Sequence, residues 1–158
     1  TEIRARRSKE RDLARRRDVP DAAIAANKRA IDGHNQRRND AIERIDEALL
    51  ERLAAVVPDA GAWHNSETAG SIVDRLSILA LKIFQMRAQA TRADASAEHR
   101  AVCAGKLARL VLQRSELAHC LDTLLDGAAE GRAYWRVYRQ FKMYNDPALN
   151  PYLYGGKQ

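Results

Sequence analysis

The sequence predicts an all-α protein, a helical bundle of about five helices with one of them buried at its centre. Three observations carry this. Alanine, leucine, arginine and glutamate dominate the 158 residues, and all four are good helix formers. The β-branched and aromatic clusters that mark strands are scarce, aromatics making up only 6% of the chain. Apolar residues recur at alternating steps of three and four over long stretches, as in helices with one buried face.

Breaks in this rhythm give the elements in order. The first segment covers about 2–17 and stops near Asp18-Val19-Pro20, because the residue before a proline disfavours the α region. The second starts at Asp21, a fair N-cap, and continues to about Val57, ahead of Pro58. The third starts between Asn65 and Thr68 and ends near Ala90. The fourth runs from about Ala93 to Asp126, with Gly127 as its C-terminal stop. The fifth spans about Gly131 to Tyr144, with Tyr134, Tyr138 and Phe141 on one side, and the turn signals Asp146-Pro147 and Asn150-Pro151 end it. The whole, residues 1–158, reads as one domain with a basic N-terminal helix (1–18) and an irregular, proline-containing tail (145–158). A chain of this length buries roughly 70% of its unfolded surface, so it needs no staples.

The third segment is the expected centre. Ile72, Leu76, Leu79, Ile83 and Met86 form its main stripe, and Val73, Ile78, Leu81 and Phe84 fill much of the remaining surface. A helix apolar on nearly all sides is buried on most sides.

Composition bounds the function. The net charge is +6, and residues 1–18 supply much of it, with eight basic side chains against four acidic ones. Such a segment suits a solvated helix face, or contact with an acidic partner, lipid or nucleic acid. The nucleic-acid reading rests on that segment alone, because no aromatic-plus-basic face and no compact helix-turn-helix is evident, so the sequence argues against it. Cys103 and Cys120 fall in one predicted helix about 25 Å apart at the helical rise, and cannot bridge each other. A reducing cytoplasm is the simplest compartment. The most apolar stretch, Ile72 to Met86, is broken by Asp74, Arg75 and Lys82 and is too short to span a bilayer.

No motif points to a metal or cofactor. Glu116 and His119 form one Glu-x-x-His pair, whereas a di-iron bundle needs two such pairs and two further glutamates. Neither cysteine has a CxxC partner, and there is no phosphate-binding glycine loop. Gly70-Ser71 could present backbone N–H groups to an anion, although Glu67 beside them points to capping.

The most informative feature is where polar residues break the apolar rhythm. Continued at strict steps, the stripe of the second segment reaches positions 35 and 38, occupied by Asn35 and Arg38, with Asn39 and Asp46 at its edge. The stripe of the fourth segment reaches Arg114, with Gln113 beside it. In the third segment, Asp74 and Ser77 flank the stripe. A buried charge is costly unless it is paired and hydrogen-bonded. Arg38 and Arg114 are therefore expected to meet carboxylates such as Asp74 and Asp46, or an anionic ligand that suits the guanidinium fork.

Three stretches carry a resemblance. They are Lys28-Arg-Ala-Ile-Asp-Gly-His-Asn-Gln-Arg-Arg-Asn-Asp-Ala-Ile-Glu-Arg-Ile-Asp46, Asn65-Ser-Glu-Thr-Ala-Gly-Ser-Ile-Val-Asp-Arg-Leu-Ser-Ile-Leu-Ala-Leu-Lys82 and Tyr138-Arg-Gln-Phe-Lys-Met-Tyr-Asn-Asp-Pro-Ala-Leu-Asn-Pro151. Together they resemble an uncharacterised bacterial family, domain of unknown function 4254. The chain departs from the family pattern at Ala69, where proline is usual, and at Gly33-His34, where Arg-Leu is usual. The resemblance implies a helical protein, often encoded beside glycosyltransferase or surface-polysaccharide genes, with no demonstrated activity. Carried over position by position, it implies roles for Asn35, Arg38, Asn39, Asp46, Glu67, Thr68, Asp74, Arg75, Ser77 and Lys82. In the tail it implies Arg139, Lys142, Tyr144, Asn145, Asp146, Pro147, Asn150 and Pro151.

Three functions follow as expectations. The first is a cytoplasmic module for glycan or glycoconjugate assembly that binds an anionic small molecule, a sugar phosphate or nucleotide sugar. Its pocket would lie between the second, third and fourth segments, lined by Asn35, Arg38, Asn39, Arg75 and Arg114. The tail residues Arg139, Lys142, Tyr144, Asn145, Asp146 and Asn150 would roof it. The second is a transferase or hydrolase with Asp74 as its catalytic base. The third is a protein–protein adaptor or homodimer whose interior charges are all satisfied and which exposes an apolar patch on its fourth or fifth segment.

Overall fold

A computed structural model describes residues 20–138 and 148–149. The predicted first helix and nearly all of the tail lie outside the described residues. Within them the protein is mostly helical, with three helices and one small sheet: α1 (Asp21–Arg52), β1 (Trp63–Asn65), α2 (Ala69–Ala90), α3 (Ala97–Ala129) and β2 (Ala133–Trp135).

α1 follows Pro20, whose carbonyl accepts from Ala23 N at 2.9 Å, and Asp21 places negative charge in the first turn where the helix dipole favours it. It ends at Arg52, five residues earlier than the spacing suggests. The chain unwinds there because residues beyond Leu53 turn to meet the end of α3, where Asp59 N donates to the Gly131 carbonyl at 2.9 Å. α2 is capped by Thr68, whose hydroxyl oxygen accepts from Ser71 N at 3.1 Å. α3 is capped in the same way by Ser96, which accepts from His99 N at 3.1 Å.

The end of α3 corrects one expectation. Gly127 does not stop the helix but lies buried within it. A Cβ there would sit 3.1 Å from the Ala133 Cβ, so glycine at this position permits β2 to pass close by. The stop is Gly131, at φ +76, the one left-handed residue among those described. Arg132 N reaches the Gly127 carbonyl at 2.8 Å and Gly131 N reaches that of Ala128 at 3.2 Å, which is a Schellman closure.

That closure redirects the chain into β2, where a fifth helix was expected. Residues 133–135 instead pair in parallel with β1, Trp63 opposite Ala133, His64 opposite Tyr134 and Asn65 opposite Trp135. The His64 and Tyr134 rings stack across the pair, 4.6 Å between centroids and 6° from parallel. The described part of the predicted Tyr134-Tyr138 stripe is therefore not a helix face. Three-residue strands leave no alternating pattern long enough to recognise.

α2 and α3 form an antiparallel hairpin, and α1 packs on the other side of α2 without substantial contact with α3. The core gathers at one end of the hairpin. Ala69 and Ile72 from α2, Leu124 and Ala128 from α3, and Ala133 and Trp135 from β2 are buried together, with Leu49 and Leu53 of α1 packed against them. α2 is thus central in position, but it is not enclosed as expected. Among the described elements it has one helical neighbour on each of two sides, and Phe84 is 71% exposed.

Candidate functional site

The interface between α1 and α2 holds two buried carboxylates, one from each helix, and both are used internally. Asp46, on α1, is 1% exposed. Its Oδ1 accepts from Gly70 N at 2.7 Å. Gly70 lies in the first turn of α2, where backbone N–H groups lack helical acceptors and the dipole is positive. The sequence points to these amides as a place for an anion, and the anion is the protein's own carboxylate. The approach requires glycine. A Cβ at position 70 would lie 2.6 Å from the Ile42 carbonyl oxygen and 2.8 Å from Asp46 Oδ2. Glu67 is not the cap but forms an exposed ion pair with Arg75, at 2.5 and 2.7 Å.

One turn further along α2, Asp74 is buried and takes a two-point contact from Arg38 of α1. Arg38 Nε donates to Oδ1 at 2.7 Å and a terminal guanidinium nitrogen donates to Oδ2. The Arg38 side chain keeps 30% of its exposure and Asp74 only 6%. The Arg38 guanidinium is held above its ordinary pKa, first by the hydrogen bond to Asp74 and then by that carboxylate's charge, against the opposing effect of burial. Ser77 donates to the Asp74 carbonyl at 2.6 Å, tightening the same turn. Asn35 and Asn39 lie half-buried on α1 beside this pair.

Among the described residues, the two arginines expected to line an interior pocket do not face each other. Arg38 meets a carboxylate, and Arg114, expected to face it, is exposed in the middle of α3. The reason is architectural. A three/four stripe is buried only where a second layer covers it, and α1 covers α2 and not α3. Arg75 is exposed on Glu67. Arg139, Lys142, Tyr144, Asn145, Asp146 and Asn150 lie outside the described residues. Asp74 faces Arg38 rather than open space, which is not the setting of a general base. Glu116 and His119 are exposed, and the described residues hold no cluster of three or more potential metal ligands.

Among the described residues, two concavities that share Lys82 and Gln113 lie along the outer side of the α2–α3 hairpin. One, of about 530 Å³, joins residues 75–82 of α2 to 113–120 of α3. The other, of about 820 Å³, joins residues 82–89 to 106–113. On α2 the groove is lined at Arg75, Ile78, Lys82, Gln85 and Gln89, steps of three and four. On α3 it is lined at Lys106, Leu110, Gln113, Leu117 and Cys120, with the same steps. Phe84 and Met86 add apolar surface, and Lys82, Lys106 and Arg109 have no ion-pair partner among the described residues. The sequence analysis did not find this groove. The signal was present in Phe84, an apolar residue off the main stripe of α2.

No helix among the described residues is long and apolar enough to cross a membrane. No curated protein and no solved structure matches the chain. Residues 1–137, which include the first two resembling stretches but not the third, match the family described as "Protein of unknown function (DUF4254)", and the chain belongs to that family.

Proposed function

We propose that this protein is a helical protein–protein adaptor, working in the cytoplasm in glycan or glycoconjugate assembly, and that its docking face is the outer side of the α2–α3 hairpin. One observation carries the reading: the buried carboxylates are consumed inside the fold, by Arg38 and by the Gly70 amide, while apolar and cationic side chains along the hairpin have no partner among the described residues. Phe84 at 71%, Leu112 at 58% and Val102 at 51% exposure lie on the two hairpin helices. Monomers rarely leave such surface uncovered without a role. The assembly context is what the family resemblance implies.

The test is a photoreactive benzoylphenylalanine at position 84, with position 25 on the exposed face of α1 as control, in cells that make the protein naturally. A discrete protein adduct at 84, absent at 25 and lost when Lys106→Glu and Arg109→Glu are added, is the expected result. Adducts at both positions, or at neither, sink the adaptor reading.

A second reading is favoured by one feature. The smaller concavity carries Arg75 and Lys82 over Ile78 and Leu79, a setting that suits a sugar phosphate or nucleotide sugar. A thermal-shift screen of such compounds decides it, since a ligand at about 100 times its Kd stabilises by roughly 2.7 kcal/mol. A shift abolished by Lys82→Ala would move the assignment from protein to metabolite.

A further inference from the structure

We propose that the occupant of the α2–α3 groove is an acidic, amphipathic α-helix of a partner protein, about four turns long. This rests on the adaptor reading and specifies its partner.

The shape of the groove calls for a helix. Both walls are lined at alternating steps of three and four, the spacing at which one helix presents side chains to another. Two antiparallel helices with an open seam are completed by a third helix packed along it. The usable length follows from residues 75 to 89 on one wall and 106 to 120 on the other, each about 21 Å at the helical rise. A helix of about 14 residues fills that length.

Charge selects the partner. Among the described residues, Lys82, Lys106 and Arg109 stand along the groove without an ion-pair partner, and the one acidic lining residue, Glu116, lies at its other end. Between the cations lie Met86 and Leu110, with Phe84 at the margin. An apolar floor with cationic rims matches a helix with an apolar stripe flanked by Glu or Asp, read as a helix-in-groove complex. The rim charges would set orientation and association rate, and the apolar floor most of the affinity.

The experiment uses two synthetic, cross-linked helical peptides of equal length with the same leucine stripe, one flanked by Glu and the other by Lys. Each is titrated against the full chain by fluorescence anisotropy. The Glu-flanked peptide is expected to bind roughly tenfold tighter, and the preference to reverse in the Lys106→Glu/Arg109→Glu protein. Its affinity should also fall as salt rises to about 0.5 M, where exposed charges are screened. Equal affinities, no binding of either peptide, or a preference that survives the charge reversal would overturn the proposal. So would a dimer in sedimentation equilibrium that Phe84→Glu abolishes, which would give the groove to a second copy of the chain. Phe84 is exposed, so that variant should keep its helical circular dichroism. A specific adduct at position 84 with no peptide preference would leave the adaptor standing and remove only the acidic helix.

Discussion

The two sides of α2 treat charge in opposite ways. Toward α1, Asp46 and Asp74 are buried and matched one to one, by an amide and by a guanidinium. Along the outer seam with α3, Lys82, Lys106 and Arg109 are exposed and unmatched among the described residues. The first side is specified from within and should be intolerant of change. The second should tolerate substitution freely and show its importance only when something binds. Charge at a helix surface does not by itself reveal which case applies; the presence of a second layer does.

The contrast can be broken in order of expected effect. Gly70→Val should be the most damaging single change, because the new side chain meets the Ile42 carbonyl, a backbone atom that cannot swing aside. Overpacking of this kind costs on the order of 3 kcal/mol, about 6–12 °C in Tm for a chain of this size, readable by thermal denaturation. Asp46→Ala should follow at about 2–3 kcal/mol, since it leaves a buried N–H without an acceptor at the positive end of a helix. Asp46→Asn keeps an acceptor oxygen and should cost clearly less. Parity between the two would remove the capping role.

Arg38→Met should cost about 1–2 kcal/mol, less than a fully buried pair because the arginine is part-exposed and Asp74 has interactions beyond it. Adding Asp74→Leu should restore part of the loss, as apolar replacement of a buried pair often does. A double variant as unstable as the sum of its parts would show that the pair does not act as a unit. The sign of the pH dependence is also fixed. A guanidinium whose folded pKa is raised contributes stability below its unfolded value and loses it only as pH climbs past the folded one. The unfolded value is the ordinary arginine one and the folded value is higher, so between neutral pH and about pH 11 this contribution should not change. Thr68→Ala should cost about 1 kcal/mol through the lost cap. Arg114→Ala, exposed and without a second layer, should shift Tm by no more than the scatter of the measurement.

The helices were largely legible from the sequence because their caps and spacing are local. Thr68 and Ser96 cap within three residues, and the rhythm of Ile72, Leu76 and Ile83 depends on one helix alone. The polar breaks at Arg38 and Asp74 were legible for the same reason, each interrupting or flanking a stripe. Their pairing was left open, since it depends on the register of two helices, which no single stripe contains. Asp46 was visible as an edge residue, but its partner is a backbone amide, which has no side-chain signature. A glycine at the second position of a helix is the trace that such a close approach leaves. Arg114 was misplaced because the stripe was read as buried along its full length, whereas it is buried at Cys103 and Leu124, half-buried at the leucines between them and exposed at Arg114. β2 was missed because its three residues gain strand geometry from a partner about 70 residues away in the sequence, brought beside it by the hairpin.

That remote partner has a kinetic consequence. The whole of α2 and α3 lies in the loop between β1 and β2. Pairing the strands before the hairpin exists would mean closing a long flexible loop for the return of a few hydrogen bonds, an unfavourable first step. Once the hairpin has zipped and Gly131 has turned the chain, the same two strands are already neighbours. The sheet is therefore a late latch on a helical nucleus, and substitutions in it should speed unfolding rather than slow folding.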